Sequence, residues 1–193
     1  MKQYTKAMIR KTFVKQLNEH PLSKVTVKSI VEECDINRNT FYYHYRDIYE
    51  VLTEIFDMEL QKVIDKYNEN FMWEDSFNLA VKSCIGNKVA VFHIYNSVRR
   101  EELENYIFTV SGNLMNRLVA SKSQGLEAAK EDLEIIASFY QSALTQMVIS
   151  WIAGGMLQDP YYIIDKVGHF FDGSLETAIE RSHQDFLKTH NGL

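Results

Sequence analysis

Residues 38–46 read Arg-Asn-Thr-Phe-Tyr-Tyr-His-Tyr-Arg and place hydrogen-bonding groups of several kinds within about two helical turns. Arg38 can fork onto guanine and Asn39 onto adenine. The hydroxyls of Thr40, Tyr42 and Tyr43 are suited to phosphate oxygens or base edges. Asn37 and His44 bracket this run, and all seven are candidate duplex contacts. Chemistry of a catalytic kind finds no comparable cluster. The chain has no Gly-rich phosphate loop, no Gly-x-Ser-x-Gly and no Cys-x-x-Cys. Glu180 and His183 have the i, i+3 spacing of a metal pair, but a di-iron bundle needs a second such pair and two more Glu, which the sequence lacks. Paired acids such as Glu101-Glu102 and Glu131-Asp132 fall at helix starts, where the helix dipole favours them. No catalytic residue, metal or cofactor is therefore expected.

A two-turn helix does not stand alone in water, so residues 38–44 need a platform. Ile9, Phe13 and Leu17 recur every four residues and predict an amphipathic helix that stops near His20-Pro21. Thr26 is a good N-cap for a short helix burying Val27, Ile30 and Val31. Cys34-Asp35-Ile36-Asn37 reads as a tight turn, with Asn37 able to cap the next helix. In that helix Phe41 and Tyr45 point inward. Asp47 caps a longer helix that begins with Val51 and Leu52. Three short helices with a tight turn between the second and third make a helix-turn-helix unit over residues 1–47.

Residues 48–193 read as a second helical body, with helix 48–68 as the connection. Helical spacing continues over Asp75–Ile85, Lys88–Val98, Glu101–Ala120, Glu127–Ala153 and Pro160–Phe186. In the fourth of these, Leu133, Ala137, Tyr140, Leu144, Met147 and Trp151 form one apolar stripe. Ile135, Ile136, Phe139 and Val148 widen it. A helix apolar on two sides has to bury both. The last segment does much the same. Leu144, Val148 and Trp151, with Ile164, Val167 and Phe171, are the expected two-fold interface of a homodimer. The fold class is all-α.

Composition agrees with a globular chain: 46% hydrophobic and 24% charged residues, with only two prolines and eight glycines. No apolar run approaches the roughly 18 residues of a membrane span, and no membrane contact is expected. The two cysteines lie far apart, at Cys34 and Cys84, which fits a reducing cytoplasm. The net charge of −5 disfavours a polyanion partner, but its distribution does not. Residues 1–50 carry nine Lys and Arg against six Asp and Glu, a net +3; residues 51–193 carry twelve against twenty, a net −8. Affinity for a duplex depends on the local patch.

The stretch Thr26–Val51, TVKSIVEECDINRNTFYYHYRDIYEV, resembles the DNA-binding signature of the tetracycline-repressor (TetR) family of bacterial transcription regulators. Thr26, Ile30, Cys34, Ile36, Asn37, Thr40, Phe41, Tyr42 and Tyr45 fill the signature's places, and the resemblance covers roughly residues 4–55. Two positions depart from it. Asp35 stands where the family has a turn glycine, and Ile48 where it has a phosphate-touching lysine, a contact that Arg46 could replace.

The resemblance implies a dimeric regulator, its 38–44 helix in the major groove of a palindromic operator on double-stranded DNA. It gives Thr26, Thr40, Tyr42, Arg46 and Lys28 to phosphates, and Arg38, Asn39 and Tyr43 to base edges. It also implies an effector-responsive repressor with a small-molecule site in the body, for which Phe92, His93, Tyr95, Tyr106, Met115, Tyr140 and Trp151 offer an aromatic lining. A partner protein is the other form such an effector can take. The alternative is a helical adaptor that keeps the fold without specific operator binding; Ile48 and the acidic body favour it.

Overall fold

A computed structural model describes residues 2–65, 73–171 and 173–191. The described residues form ten α-helices and one 3-10 turn, with no strand among them. The expected continuation of the connecting helix over 66–68 lies outside the described residues. The chain divides into two compact units, and the division does not fall at residue 47. Among the described residues, unit 1 holds 2–65 and 80–106, and unit 2 holds 73–79, 107–171 and 173–191.

Unit 1 begins with α1 (Lys2–Glu19), whose Ile9, Phe13 and Leu17 are fully buried. Each such side chain contributes about 1.5–3 kcal/mol through burial. Pro21 ends the approach, and a 3-10 turn (Leu22–Lys24) tucks Leu22 into the core. Helix α2 (Val27–Glu33) starts in a reciprocal cap: the Ser29 amide donates to Thr26 Oγ1 at 3.1 Å, and the Thr26 amide donates to Ser29 Oγ at 3.1 Å. Gln16 of α1 ties in from the side, accepting from Ser29 Oγ at 2.7 Å and donating to Glu33 Oε2 at 2.6 Å.

The exit from α2 is a Schellman turn. The Ile36 amide reaches back to the Val31 carbonyl at 3.0 Å, and Asp35 sits at φ +50° in the position glycine usually fills. A left-handed backbone costs a non-glycine residue about 1–2 kcal/mol. Asp35→Gly is therefore expected to stabilise unit 1 by about 1 kcal/mol. Urea unfolding of the two proteins checks this; equal midpoints would show that the turn carries no such strain.

Helix α3 (Arg38–His44) follows, then α4 (Ile48–Asp65), capped by Asp47, whose Oδ1 accepts from the amides of Tyr49 and Glu50, both at 2.9 Å. Helix α5 (Trp73–Gly86) enters unit 1 with its C-terminal half, and α6 (Lys88–Tyr95) packs back on α1. Asn18 Oδ1 accepts from the Ala90 amide at 3.3 Å, and His93 Nδ1 lies 2.7 Å from the Leu17 carbonyl. Helix α7 (Arg100–Lys122) gives its first turns to unit 1.

Unit 2 is built on the rest of α7 with α8 (Lys130–Ala153), α9 (Pro160–Phe171) and α10 (Ser174–Asn191). The sequence periodicity read 160–186 as one helix. The structure breaks it at Gly173, whose φ of +78° no continuous helix allows and whose amide donates to Glu176 at 3.0 Å to start α10. Leu114, Met115, Leu144, Val167 and Leu175 lie at the centre of the core. Tyr140 meets Phe171 edge to face at 5.0 Å, and its hydroxyl lies 3.0 Å from Ser174 Oγ. By length and composition α8 is the one described helix apolar enough to cross a bilayer. Here Ala137, Tyr140, Leu144 and Ile152 on it are buried against protein.

Candidate nucleic-acid interface

Helix α3 is anchored on one side and open on the other. Phe41 is fully buried, and Tyr45, the C-cap, is nearly so. Tyr42 is 54% and Tyr43 67% exposed on the far side. Arg38 and Asn39 are exposed there as well and bond to no described side chain. The helix start is fixed by Asn37, whose Oδ1 accepts from the Thr40 amide at 2.8 Å and from Thr40 Oγ1 at 3.1 Å. The helix therefore presents Arg, Asn and two Tyr at once, with their backbone held by a cap and two aromatic anchors.

The flanking candidates differ in their freedom. Arg46 is 87% exposed and lies 3.8 Å from Asp47, a loose surface contact. Lys28 is exposed and faces Glu32 at 3.8 Å on the surface of α2. Thr26 is exposed and caps α2, its Oγ1 accepting from the Ser29 amide at 3.1 Å. His44 is half-buried, its ring edge-on to Tyr43 at 5.0 Å and its Nδ1 buried without a partner among the described residues.

A latch that the sequence reading did not identify sits beneath α3. The Tyr45 hydroxyl donates to Glu54 Oε2 on α4. Lys6 Nζ on α1 reaches Glu54 Oε1 at 2.9 Å, and Arg10 reaches Glu54 Oε2 at 3.3 Å and the Tyr45 oxygen at 3.3 Å. The cluster joins the end of the open helix to α1 and α4. Burial opposes the Glu54 charge, but the hydrogen bonds from Tyr45 and Lys6 and the charges of Lys6 and Arg10 outweigh it and hold its carboxyl below the usual range. Burial, with the Glu54 hydrogen bond, pushes the Tyr45 phenol up, so it stays a donor. The one available signal was the hydroxyl on Tyr45, an inward-facing position: a buried hydroxyl needs a partner.

The sign of the pH dependence follows. A carboxyl held low in the folded state contributes stability above its unfolded value and loses that contribution as pH falls through the folded one. Glu54→Gln is expected to cost about 1–2 kcal/mol near neutral pH. The cost should shrink on acidification through the carboxylate range. Urea unfolding across that range checks this; a constant difference would remove Glu54 as a charged partner.

The other expected sites are placed as follows. Tyr106 lines a cavity in unit 1. Phe92 is 42% exposed, His93 is bonded to Leu17, and Tyr95 lies under the Arg100 guanidinium at 4.2 Å. In unit 2, Met115 and Tyr140 are core residues, and Trp151 donates to the Gln158 carbonyl at 3.0 Å. Six of the seven aromatic and sulfur positions thus serve packing, helix ties or surface, because an aromatic on a helix is drawn first into its own core.

The expected dimer residues Leu144, Trp151, Ile164, Val167 and Phe171 are buried inside unit 2, with Val148 half-buried. The apolar groups left outside include Ile135 and Phe139 on α8, 67% and 69% exposed, and Phe170 on α9, 70% exposed. Among the described residues no group of three His, Cys, Asp or Glu converges on a metal position.

A capped two-turn helix, propped on two others and polar on its free side, defines a helix-turn-helix DNA-binding head. Residues 9–55 match the family model described as bacterial regulatory proteins, tetR family, and residues 71–173 match one described as a transcriptional regulator C-terminal region. The chain belongs to the TetR family of transcription regulators. It is 21% identical over 130 residues to the HTH-type dhaKLM operon transcriptional activator DhaS of Lactococcus lactis subsp. lactis (strain IL1403), covering 67% of this chain and 68% of that protein. Among solved structures it is similar to a dihydroxyacetone kinase operon activator, DhaS, with a TM-score of 0.75 at 16% identity, over 93% of this chain and 98% of that one. It is also similar to the fatty acid degradation regulator FadR from Bacillus halodurans, with a TM-score of 0.64 at 20% identity, over 88% and 95% of the two chains.

Proposed function

We propose that this regulator acts in the cytoplasm as a homodimer on a palindromic operator, with each α3 entering a major groove. Arg38, Asn39 and Tyr43 read base edges in this scheme, while Thr40, Tyr42, Arg46 and Lys28 hold phosphates. The observation that carries it is the free face of α3, where Arg38 and Asn39 are exposed beside two exposed tyrosines. The two-fold contact uses the outer faces of α8 and α9, where Ile135, Phe139 and Phe170 lie uncovered. Half-sites then lie about 34–36 Å apart, or a multiple of that.

The sequence reading is an effector-responsive repressor. A second reading, activation, is favoured by two comparisons, since the DhaS relative and the DhaS structure are both described as activators. Selecting bound sites from a random duplex pool tests DNA reading itself. A two-fold motif should be enriched, and a reporter carrying it in front of a promoter then gives the sign of regulation. An adaptor that has lost operator binding would enrich no motif.

A further inference from the structure

A half-enclosed cavity of about 220 Å³ lies within unit 1, bounded by α1, α4, the end of α5, α6 and the start of α7. Phe13 and Leu17 of α1, Leu52 and Phe56 of α4, Ile94 and Leu103 make its apolar wall. A dry cavity of roughly 150 Å³ lined by such residues accepts benzene. Drug-sized ligands need about 300–1,000 Å³. The space here suits one six-membered ring with one or two substituents and is too small for a long acyl chain.

The polar side of the cavity selects further. Glu59 lies in the wall, and its charge is already met by Lys62 at 2.5 Å and by the Ser83 hydroxyl at 3.1 Å. A carboxylate there repels an anionic ligand, while its existing partners leave little for a cation to gain. Tyr106 stacks on Phe56 at 4.8 Å, and its hydroxyl has no hydrogen-bond partner among the described residues. Burial, with Cys84 and Glu59 nearby, pushes the Tyr106 phenol up, so it remains a donor; burial and Glu59 likewise push the Cys84 thiol up to about 11, so it remains neutral. An aromatic wall with one unoccupied hydroxyl fits a neutral ligand that is apolar in body and carries one hydroxyl.

We propose that this cavity binds a small neutral phenol or alcohol, anchored on Tyr106, and that its occupancy alters duplex affinity. The second half rests on the DNA-binding role proposed above. The route is short. Helix α1 supplies Phe13 and Leu17 to the cavity, and Lys6 and Arg10 to the latch on Tyr45. Helix α4 supplies Leu52 and Phe56 to the cavity, with Glu54 between them in the latch. A ligand that prefers one spacing of α1 and α4 therefore biases the seat of α3, and by linkage the duplex biases the ligand.

The test uses the full chain and 4-methylphenol as probe, with calorimetry for binding and the selected duplex for coupling. Expected is saturable one-to-one binding, weakened about 3- to 10-fold in Tyr106→Phe, which keeps the ring stack and loses one hydrogen bond. Ala90→Leu fills the cavity and should abolish binding; Tyr106→Phe stands as the second variant if Ala90→Leu does not fold. Toluene should bind more weakly than 4-methylphenol, and 4-methylbenzoate should not bind. Saturating 4-methylphenol should change duplex affinity at least about threefold, on the scale of allosteric couplings.

Absence of saturable binding, or binding untouched by both variants, overturns the site. Equal binding of 4-methylbenzoate overturns the ligand class. Binding as expected with unchanged duplex affinity overturns the coupling. Probe binding in a protein that selects no duplex leaves the cavity standing and refutes the DNA-binding role instead.

Discussion

Phe41→Ala should abolish duplex binding while leaving most of the helical content in place. Phe41 is the buried residue of α3 and is fully enclosed. Its truncation removes a ring from a packed core and leaves a cavity, at about 3–5 kcal/mol. A seven-residue helix has no stability of its own to absorb that loss. It also loses the edge-to-face contact of Phe41 with Tyr42 at 5.7 Å and the contact with Tyr45 at 5.9 Å. The expected result is a lower unfolding midpoint with no measurable affinity for the selected duplex. Retained affinity at full strength would mean that α3 is not the element that reads DNA.

The second large effect concerns Arg38. It is the one arginine within α3 and it is exposed. A bidentate contact from arginine to guanine discriminates by about 1–3 kcal/mol. Arg38→Ala should therefore weaken operator binding roughly 5- to 150-fold and relax preference at one base position per half-site. The substitution lies on the free face and should leave stability within about 0.5 kcal/mol. Comparing site preferences of the two proteins separates this from phosphate binding, which would weaken all sequences alike. A uniform loss would move Arg38 from the base edges to the backbone.

The head was the most legible part of the chain because its determinants are local. Thr26, Asn37 and Asp47 each cap within three residues, and in the structure the side-chain oxygens of all three accept from backbone amides at a helix start. Phe41 and Tyr45 were readable as the inward pair from their spacing alone. Asp35 was readable as a left-handed residue from its place in the turn.

The body was less legible for three physical reasons. Helix α8 is apolar on both sides, and periodicity does not say which side its own unit takes; Leu144 and Trp151 turn in while Ile135 and Phe139 stay out. Long-range ties leave no local trace, so the return of α6 to α1 through Asn18 and His93 was not foreseeable. The latch on Glu54 joins α1, α3 and α4 across as many as 48 residues, and its acid looked like an ordinary helix glutamate. The single 160–186 helix failed at Gly173, a signal that was present but outweighed by the apolar pattern around it.

The central claim is that a small helix is held by buried aromatics so that its polar face can enter a duplex groove. The most direct measurement is the affinity of the full chain for its selected duplex and for a scrambled duplex across salt concentration. The expected result is preference for the selected duplex at every salt concentration, with log K for both falling linearly as log salt rises. Equal affinity for the two duplexes, or no binding to either, would contradict the account.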